Sequence, residues 1–208
     1  MGDTEETHDR DSHDHDDHAE HGSHDDHHEH GSHDDHHEHA DADHHRHDLE
    51  TLGVAVITVT TTRDPDEDPS GDLIVDLFED AGHEIADRQL IPDDHDLIQG
   101  MVNNLVDRRS VDVVVTTGGT GVTPDDVTPD AIEPLLDKPL PGFGELFRRL
   151  SYEEIGTMVV ATRAIGGVVE DVPVFALPGS TDAVRLGVEE IILPEAGHLA
   201  GLAGRIRE

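Results

Sequence analysis

Within two positions of residue 51 the chain changes character, and that break limits the folds open to it. The first fifty residues carry almost no apolar side chain, whereas Val54, Ala55, Val56, Ile57 and Val59 then follow in one short run. An apolar run of that length suits a strand buried on both faces of a parallel sheet. A loop holding Pro65, Pro69 and Gly71 leads to a segment whose Leu73, Leu77, Phe78 and Ala81 share one helical face, with Gly82 placed to stop it. The pattern then recurs. Residues 84–91 read as a strand, and Ile98, Met101, Val102, Leu105 and Val106 come after it at the spacing of a one-sided helix. Residues 111–117 read as a third strand, 145–155 as a helix, 163–169 and 172–177 as strands, and 182–192 as a helix. Such alternation predicts an α/β fold, a doubly wound and mostly parallel sheet with helices on both faces. A unit of about 160 residues buries roughly 70% of the surface its unfolded chain exposes, so residues 51–208 suffice for one domain without covalent staples.

Residues 1–50 are expected to be a separate, disordered tail. They hold sixteen of the nineteen histidines and nineteen carboxylates, and the nonapeptide HGSHDDHHE runs from His21 and again from His30. Such a segment cannot bury enough apolar area to offset the entropy of ordering. Its imidazoles, among them His24, His27, His28, His30, His33, His36, His37 and His39, would let a flexible chain wrap zinc or nickel with several nitrogens. A solubilising charged tail is the alternative, and a purification sequence is a third reading that the interleaved aspartates disfavour.

Charge and cysteine content exclude whole classes of function. There are 49 acidic against 13 basic residues, and Lys138 is the one lysine. A carboxylate surface repels nucleic acid and anionic membranes, so neither is expected as a partner. The preference for arginine and excess acid fits a chain adapted to high salt, where screening makes self-repulsion tolerable. Cysteine is absent, which removes disulfides, thiolate catalysis and thiolate metal sites. Asp3, Glu5 and Glu6 stand where a secretory signal would be basic, and no stretch of eighteen apolar residues occurs, so a cytoplasmic location is expected.

In open α/β sheets ligands bind beyond the carboxyl ends of the strands, so the residues just past each apolar run are the informative ones. After the first strand comes Thr60; after the second, Asp93; after the third, Thr117, Gly118, Gly119, Thr120 and Gly121, then Asp126; after the last, Pro178, Gly179, Ser180 and Thr181. Small residues in the first glycine segment let a backbone approach a phosphate closely, although a tight structural turn explains an isolated Gly-Gly equally well. It is neither a P-loop nor a dinucleotide fingerprint, since both spacings fail. Ser180 or Thr181 either faces an anion or simply caps the last helix. Asp93 and Asp126, on neighbouring loops, suit a hard cation held between protein and substrate phosphates.

Several ordered motifs now accumulate: TTGGTG with VTPDDVTPDAI up to Ile132, PGFGELFR from Pro141, LSYEEIG from Leu150, and ALPGST from Ala176. Together they resemble the molybdopterin-binding-domain proteins of the MoaB/Mog type, over essentially residues 51–203. The resemblance implies adenylylation of molybdopterin by magnesium-ATP, giving adenylylated molybdopterin and pyrophosphate. It implies Asp93 and Asp126 as a metal-associated catalytic pair, with Asp130 closing the second motif. Gly118 to Gly121 would hold nucleotide phosphate or ribose, and Gly179, Ser180 and Thr181 the pterin side. Phe143 and Glu145 would line the same cleft, with Phe143 alternatively a core residue. A homo-oligomer, trimer or hexamer, is implied as well. Two positions depart from the family pattern: Thr60, Thr61 and Thr62 precede Arg63 where some relatives have Ser-Asp-Arg or Ser-Asn-Arg, and Asp182 stands where relatives often carry lysine. A non-catalytic molybdopterin-binding or carrier module on the same fold is the alternative, since fold does not fix function. A metal-storage role centred on the tail is the third reading.

Overall fold

A computed structural model describes residues 48–60 and 67–204. Six strands form one sheet: β1 (Gly53–Val59), β2 (Glu84–Ile91), β3 (Val113–Thr117), β4 (Lys138–Pro139), β5 (Ile165–Val169) and β6 (Val172–Leu177), in the order β2-β1-β3-β6-β5-β4. Strands β2, β1, β3 and β6 run parallel to one another, as the strand–helix alternation predicts. The helices are α1 (Pro69–Asp80), α2 (His95–Val106), α3 (Thr128–Ile132), α4 (Pro141–Ile155), α5 (Thr181–Gly187) and α6 (Leu193–Ala203).

Continuous apolar strands become two-sided because successive side chains alternate across the sheet. Val54 and Val56 of β1, Val113 and Val115 of β3, and Phe175 and Leu177 of β6 pack on one face with Phe78 of α1, Phe147 of α4, Val184 of α5 and Ala196 of α6. Ala55, Ile57 and Val59, with Val114, Val174 and Ala176, pack on the other face against Ile98, Val102 and Leu105 of α2 and Ile132 of α3. Each fully buried valine or isoleucine contributes on the order of 1.5–3 kcal/mol. The carboxyl ends of the parallel strands lie level with one another: Val59 pairs with Ile91, Thr58 with Thr117, and Thr117 with Leu177.

Helix boundaries follow local chemistry. Asp68 accepts from Gly71 N at 3.0 Å and Pro69 occupies the first helical turn, so α1 starts there. Asp94 accepts from Leu97 N at 2.9 Å and starts α2. Gly82, at φ 88°, ends the first helix as expected, and the His83 N–H closes back on Phe78 O at 2.9 Å.

The sequence expectation lacks α3 and β4, and four further details differ from it. Strand β5 is antiparallel to β6, because Glu170 and Asp171, at φ 46° and 71°, turn the chain in a two-residue hairpin. Strand β5 starts at Ile165 and β3 at Val113, each two residues late; Asp112 instead accepts from Gly53 N at 2.8 Å. Helix α4 starts four residues early, with Pro141 in its first turn. The last helical stretch continues to Ala203, through a widened turn at Val188–Ile192 that precedes Pro194. Proline lacks the N–H that a regular ladder needs, which accounts for the local widening. Among the described residues no helix is long and apolar enough to cross a membrane.

Of the residues assigned to the tail, 1–47 lie outside the described residues, and with them all eight of its candidate metal-ligating histidines. Asp48 and Leu49 are tied to α6: Leu49 N donates to Gly197 O at 3.1 Å, and His198 Nδ1 lies 2.8 Å from Asp48 Oδ1.

Candidate functional site

The chain leaves β1 toward β2 on one side and β3 toward β6 on the other, so the crevice between β1 and β3 is the topological switch point of the sheet. At the carboxyl end of β3 the chain bends through Gly118 and Gly119, at φ 101° and 64°. A β-carbon on Gly118 would drive into the Val59 carbonyl oxygen at the end of β1. On Gly119 one would meet Thr128 Oγ1 and come within 2.6 Å of Asp93 Oδ1; on Gly121, within 2.7 Å of Asp126 Oδ2. Both predicted aspartates thus approach the same four-residue loop, one at Gly119 and the other at Gly121.

Around this loop lies a cleft of about 450 Å³. Gly118, Gly119, Thr120 and Gly121 form one wall with Asp126, and Pro178, Gly179 and Ser180 form another. The two turns are joined by Thr117, whose buried hydroxyl donates to Pro178 O at 3.0 Å. Ser70 of α1 donates to Gly179 O at 3.2 Å and steadies the second turn. Ser180 Oγ accepts from Ala183 N at 3.3 Å, so it caps α5 while lining the cleft. Thr181 is the exposed first residue of α5, outside the lining.

Other expected residues are placed elsewhere. Thr60 closes β1 against β2, its N–H donating to Ile91 O at 2.9 Å. Phe143 is buried in the core, its ring 4.9 Å from that of Phe175, and does not line this cleft. Glu145, also on α4, lines a separate depression with Pro141, Gly144 and Arg148. Asp130 does not line the cleft; it pairs with Arg163 at 2.8 Å. Asp93 also stays outside the lining, against Gly119 and Thr128. Thr61, Thr62 and Arg63 lie outside the described residues.

An apolar wall faces the glycine loop: Phe147, Ile155, Met158 and Ala161, with the buried Ser151 among them. Sequence reading does not assign these residues to the site. The signal is present nonetheless, because Phe147, Ser151 and Ile155 are spaced four apart and therefore share one helix face.

Asp126 is held as a carboxylate. Its partial burial opposes ionisation, but bonds from the Thr123 hydroxyl at 2.6 Å and the Thr123 N–H at 2.8 Å, a main-chain bond from Gly121 and the nearby Arg163 charge prevail, keeping its pKa below the ordinary value of 3.8. Those Thr123 bonds both end on Oδ2.

Among the described residues no three acidic or imidazole side chains gather closely enough to cage a metal ion. Asp126 in the cleft wall, with Asp93 outside it beside Gly119, is nonetheless compatible with magnesium, which takes one or two carboxylates and leaves its remaining positions to waters and phosphate oxygens. One further observation suits an oxygen-rich ligand: Thr162 lines the cleft, and its Oγ1 is buried with no hydrogen-bond partner among the described residues.

Residues 55–198 match the family model described as a probable molybdopterin binding domain. The chain belongs to this molybdopterin-binding-domain family of MoaB and Mog proteins. Molybdenum cofactor biosynthesis protein B of Bacillus cereus is 46% identical over 145 residues, 69% of this chain and 86% of its own length. Its Escherichia coli K12 namesake is 41% identical over 142 residues, 68% and 84% of the two chains. A crystal structure of a Molybdenum cofactor biosynthesis protein B superposes with a TM-score of 0.72 at 42% identity, covering 76% of this chain and 99% of that one. The tungsten cofactor synthesizing protein MoaB from Pyrococcus furiosus gives 0.67 at 40% identity, covering 74% and 98%. The stretch matched by the family model contains the glycine loop, both aspartates and the whole cleft, and leaves out the first 54 residues.

Proposed function

We propose that this protein acts in molybdenum cofactor biosynthesis as a molybdopterin adenylyltransferase. In that reaction the terminal phosphate of molybdopterin attacks the α-phosphate of ATP. A phosphoanhydride bond forms, the bond between the α-phosphorus and the bridging oxygen breaks, and pyrophosphate leaves. The reading rests on membership of the molybdopterin-binding-domain family and on one observation: Asp93 and Asp126 meet the same glycine loop at the sheet's switch point. Phosphoryl-type transfers need positioning and charge neutralisation more than covalent chemistry from the protein. The residues present suit that division of labour.

Gly118, Gly119 and Gly121 line the cleft with no side chain of their own, so their main-chain groups would lie close to a phosphate chain seated there. Asp126, with Asp93 beside the same loop, would hold magnesium, which when bound neutralises negative charge on phosphate oxygens. The apolar side chains of Phe147, Ile155 and Met158 offer a flat ring a face to pack on, and Pro178 to Ser180 line the opposite side. A trimer or pair of trimers goes with the same family reading; the exposed Tyr152 and Val160, outside the cleft lining, provide apolar area for it.

Incubation of the full chain with molybdopterin, ATP and magnesium, followed by assay of pyrophosphate and mass analysis of the pterin, tests the proposal. Magnesium-dependent, equimolar pyrophosphate and adenylylated molybdopterin are expected. Molybdopterin binding with no pyrophosphate release would leave the carrier reading in its place.

A further inference from the structure

The sequence pattern makes Arg163 the first residue of a strand, but it stands two residues before β5 and reaches across the site. Its main-chain N–H donates to Thr120 O at 2.9 Å. Its Nε donates to Gly121 O at 2.7 Å, and one terminal nitrogen donates to the main-chain oxygen of Asp126. The other terminal nitrogen binds the Asp130 carboxylate at 2.8 Å. One residue therefore fastens the glycine loop, the Asp126 turn and the start of α3, which are three points of the chain between residues 120 and 130. Thr123 bonds Asp126 Oδ2 from inside that same segment, so wherever the turn goes the carboxylate goes with it. Within 120–130 the helical hydrogen bonds begin only at α3, so few other main-chain bonds hold this stretch to the sheet.

We infer that Arg163 is a positioning residue, which through its fork of bonds to Gly121, Asp126 and Asp130 fixes the Asp126 carboxylate relative to the phosphate-facing turn of Gly118 to Gly121. The inference rests on the reading of that turn as a phosphate and magnesium site. A guanidinium presents several donors in one rigid plane, and this geometry uses three of them in different directions. Lysine, a single point charge, cannot span the three acceptors. With the Arg163 side chain 35% and its Asp130 partner 56% exposed, that ion pair alone contributes little, and the directed bonds to main-chain oxygens matter more.

The test is a double-mutant cycle in the full chain, with Arg163→Met, Arg163→Lys, Asp126→Asn and the two combined variants. Turnover, the magnesium concentration for half-maximal rate, and amide hydrogen exchange of Gly119, Gly121 and Thr123 without ligands are each measured. Groups that orient a metal ligand typically change affinity or activity by about 10–100-fold. Arg163→Met is expected to raise the magnesium requirement and lower kcat by about that factor while KM for ATP changes less. Lysine is expected to recover only a small part. In the Asp126→Asn background the same change is expected to cost no more than about twofold, because coupled residues are not additive. Faster exchange at the three amides, with unchanged exchange in β1 and β3, is expected even if the chain transfers no nucleotide, so this arm reads the Arg163 hold independently of the reaction. Equal losses in both backgrounds, full rescue by lysine, or unchanged amide exchange would each overturn the inference.

Discussion

Asp93 Oδ1 stands so close to Gly119 that a β-carbon there would come within 2.6 Å of it. A substitution at that glycine is therefore aimed at the aspartate as well as at the loop. Gly119→Ala, which also forces a side chain into φ 64°, is expected to lower activity by displacing Asp93 and Thr128, at a stability cost of about 1–3 kcal/mol. Gly118→Ala meets main-chain oxygen instead, which cannot swing away, and is expected to cost more. Calorimetric melting of both variants orders them; a Gly118→Ala chain that melts higher than the Gly119→Ala chain would contradict the geometry.

Removing either carboxylate separates chemistry from folding. Neither aspartate packs in the core, so Asp93→Ala and Asp126→Ala are expected to fold. Each is expected to lower adenylyl transfer by roughly 100-fold, about 3 kcal/mol of transition-state stabilisation. Steady-state kinetics at saturating magnesium measure this, and near-normal turnover in both would end the assignment.

Acidity offers a third test. His83 Nδ1 accepts from Leu52 N at 3.3 Å, and burial lowers its pKa from 6.5, so the folded state favours the neutral ring. The unfolded chain then binds the proton first. The stability contribution is present above 6.5 and is lost as pH falls from there through the lowered folded value. His83→Gln, which keeps an acceptor, is expected to flatten the dependence in that window. Asp126, lowered from 3.8, contributes stability present above 3.8 and lost only below it. Its ionisation should therefore leave no step in the rate profile between about pH 5 and 8. Denaturant titrations of the native and His83→Gln chains across that range provide the check on His83.

The β5–β6 hairpin carries removable strain. Glu170 and Asp171 occupy the left-handed region that glycine and asparagine adopt at lower cost. Replacing the pair by Asn-Gly is expected to raise stability by about 1 kcal/mol with activity unchanged, since the turn is remote from the cleft lining. A lower melting temperature would show that the native side chains contribute more than the backbone conformation costs.

Where the sequence is readable, periodicity is the reason. Val54 to Val59 and Val113 to Val115 alternate between two buried faces, and that pattern is local, so the parallel strands and their helices are legible. The glycine loop and both aspartates are legible because strand ends mark where ligands sit. What escapes depends on contacts distant in sequence. Arg163 lies 42 residues from Gly121, and nothing in its neighbourhood marks it as a clamp. The direction of β5 comes from a turn without glycine, and the helix through Pro194 from a widened turn that only the packed chain explains. Phe143 and Glu145 share a motif, yet helix α4 directs one to the core and the other to a different depression.

A crystal structure of the full chain with magnesium and a non-hydrolysable ATP analogue would read the geometry of the site outright. The triphosphate is expected to lie along Gly118 to Gly121, with a cation within about 2.1 Å of an Asp126 or Asp93 oxygen that also touches a phosphate. A triphosphate seated away from that loop, or a cation that touches neither aspartate, would contradict it.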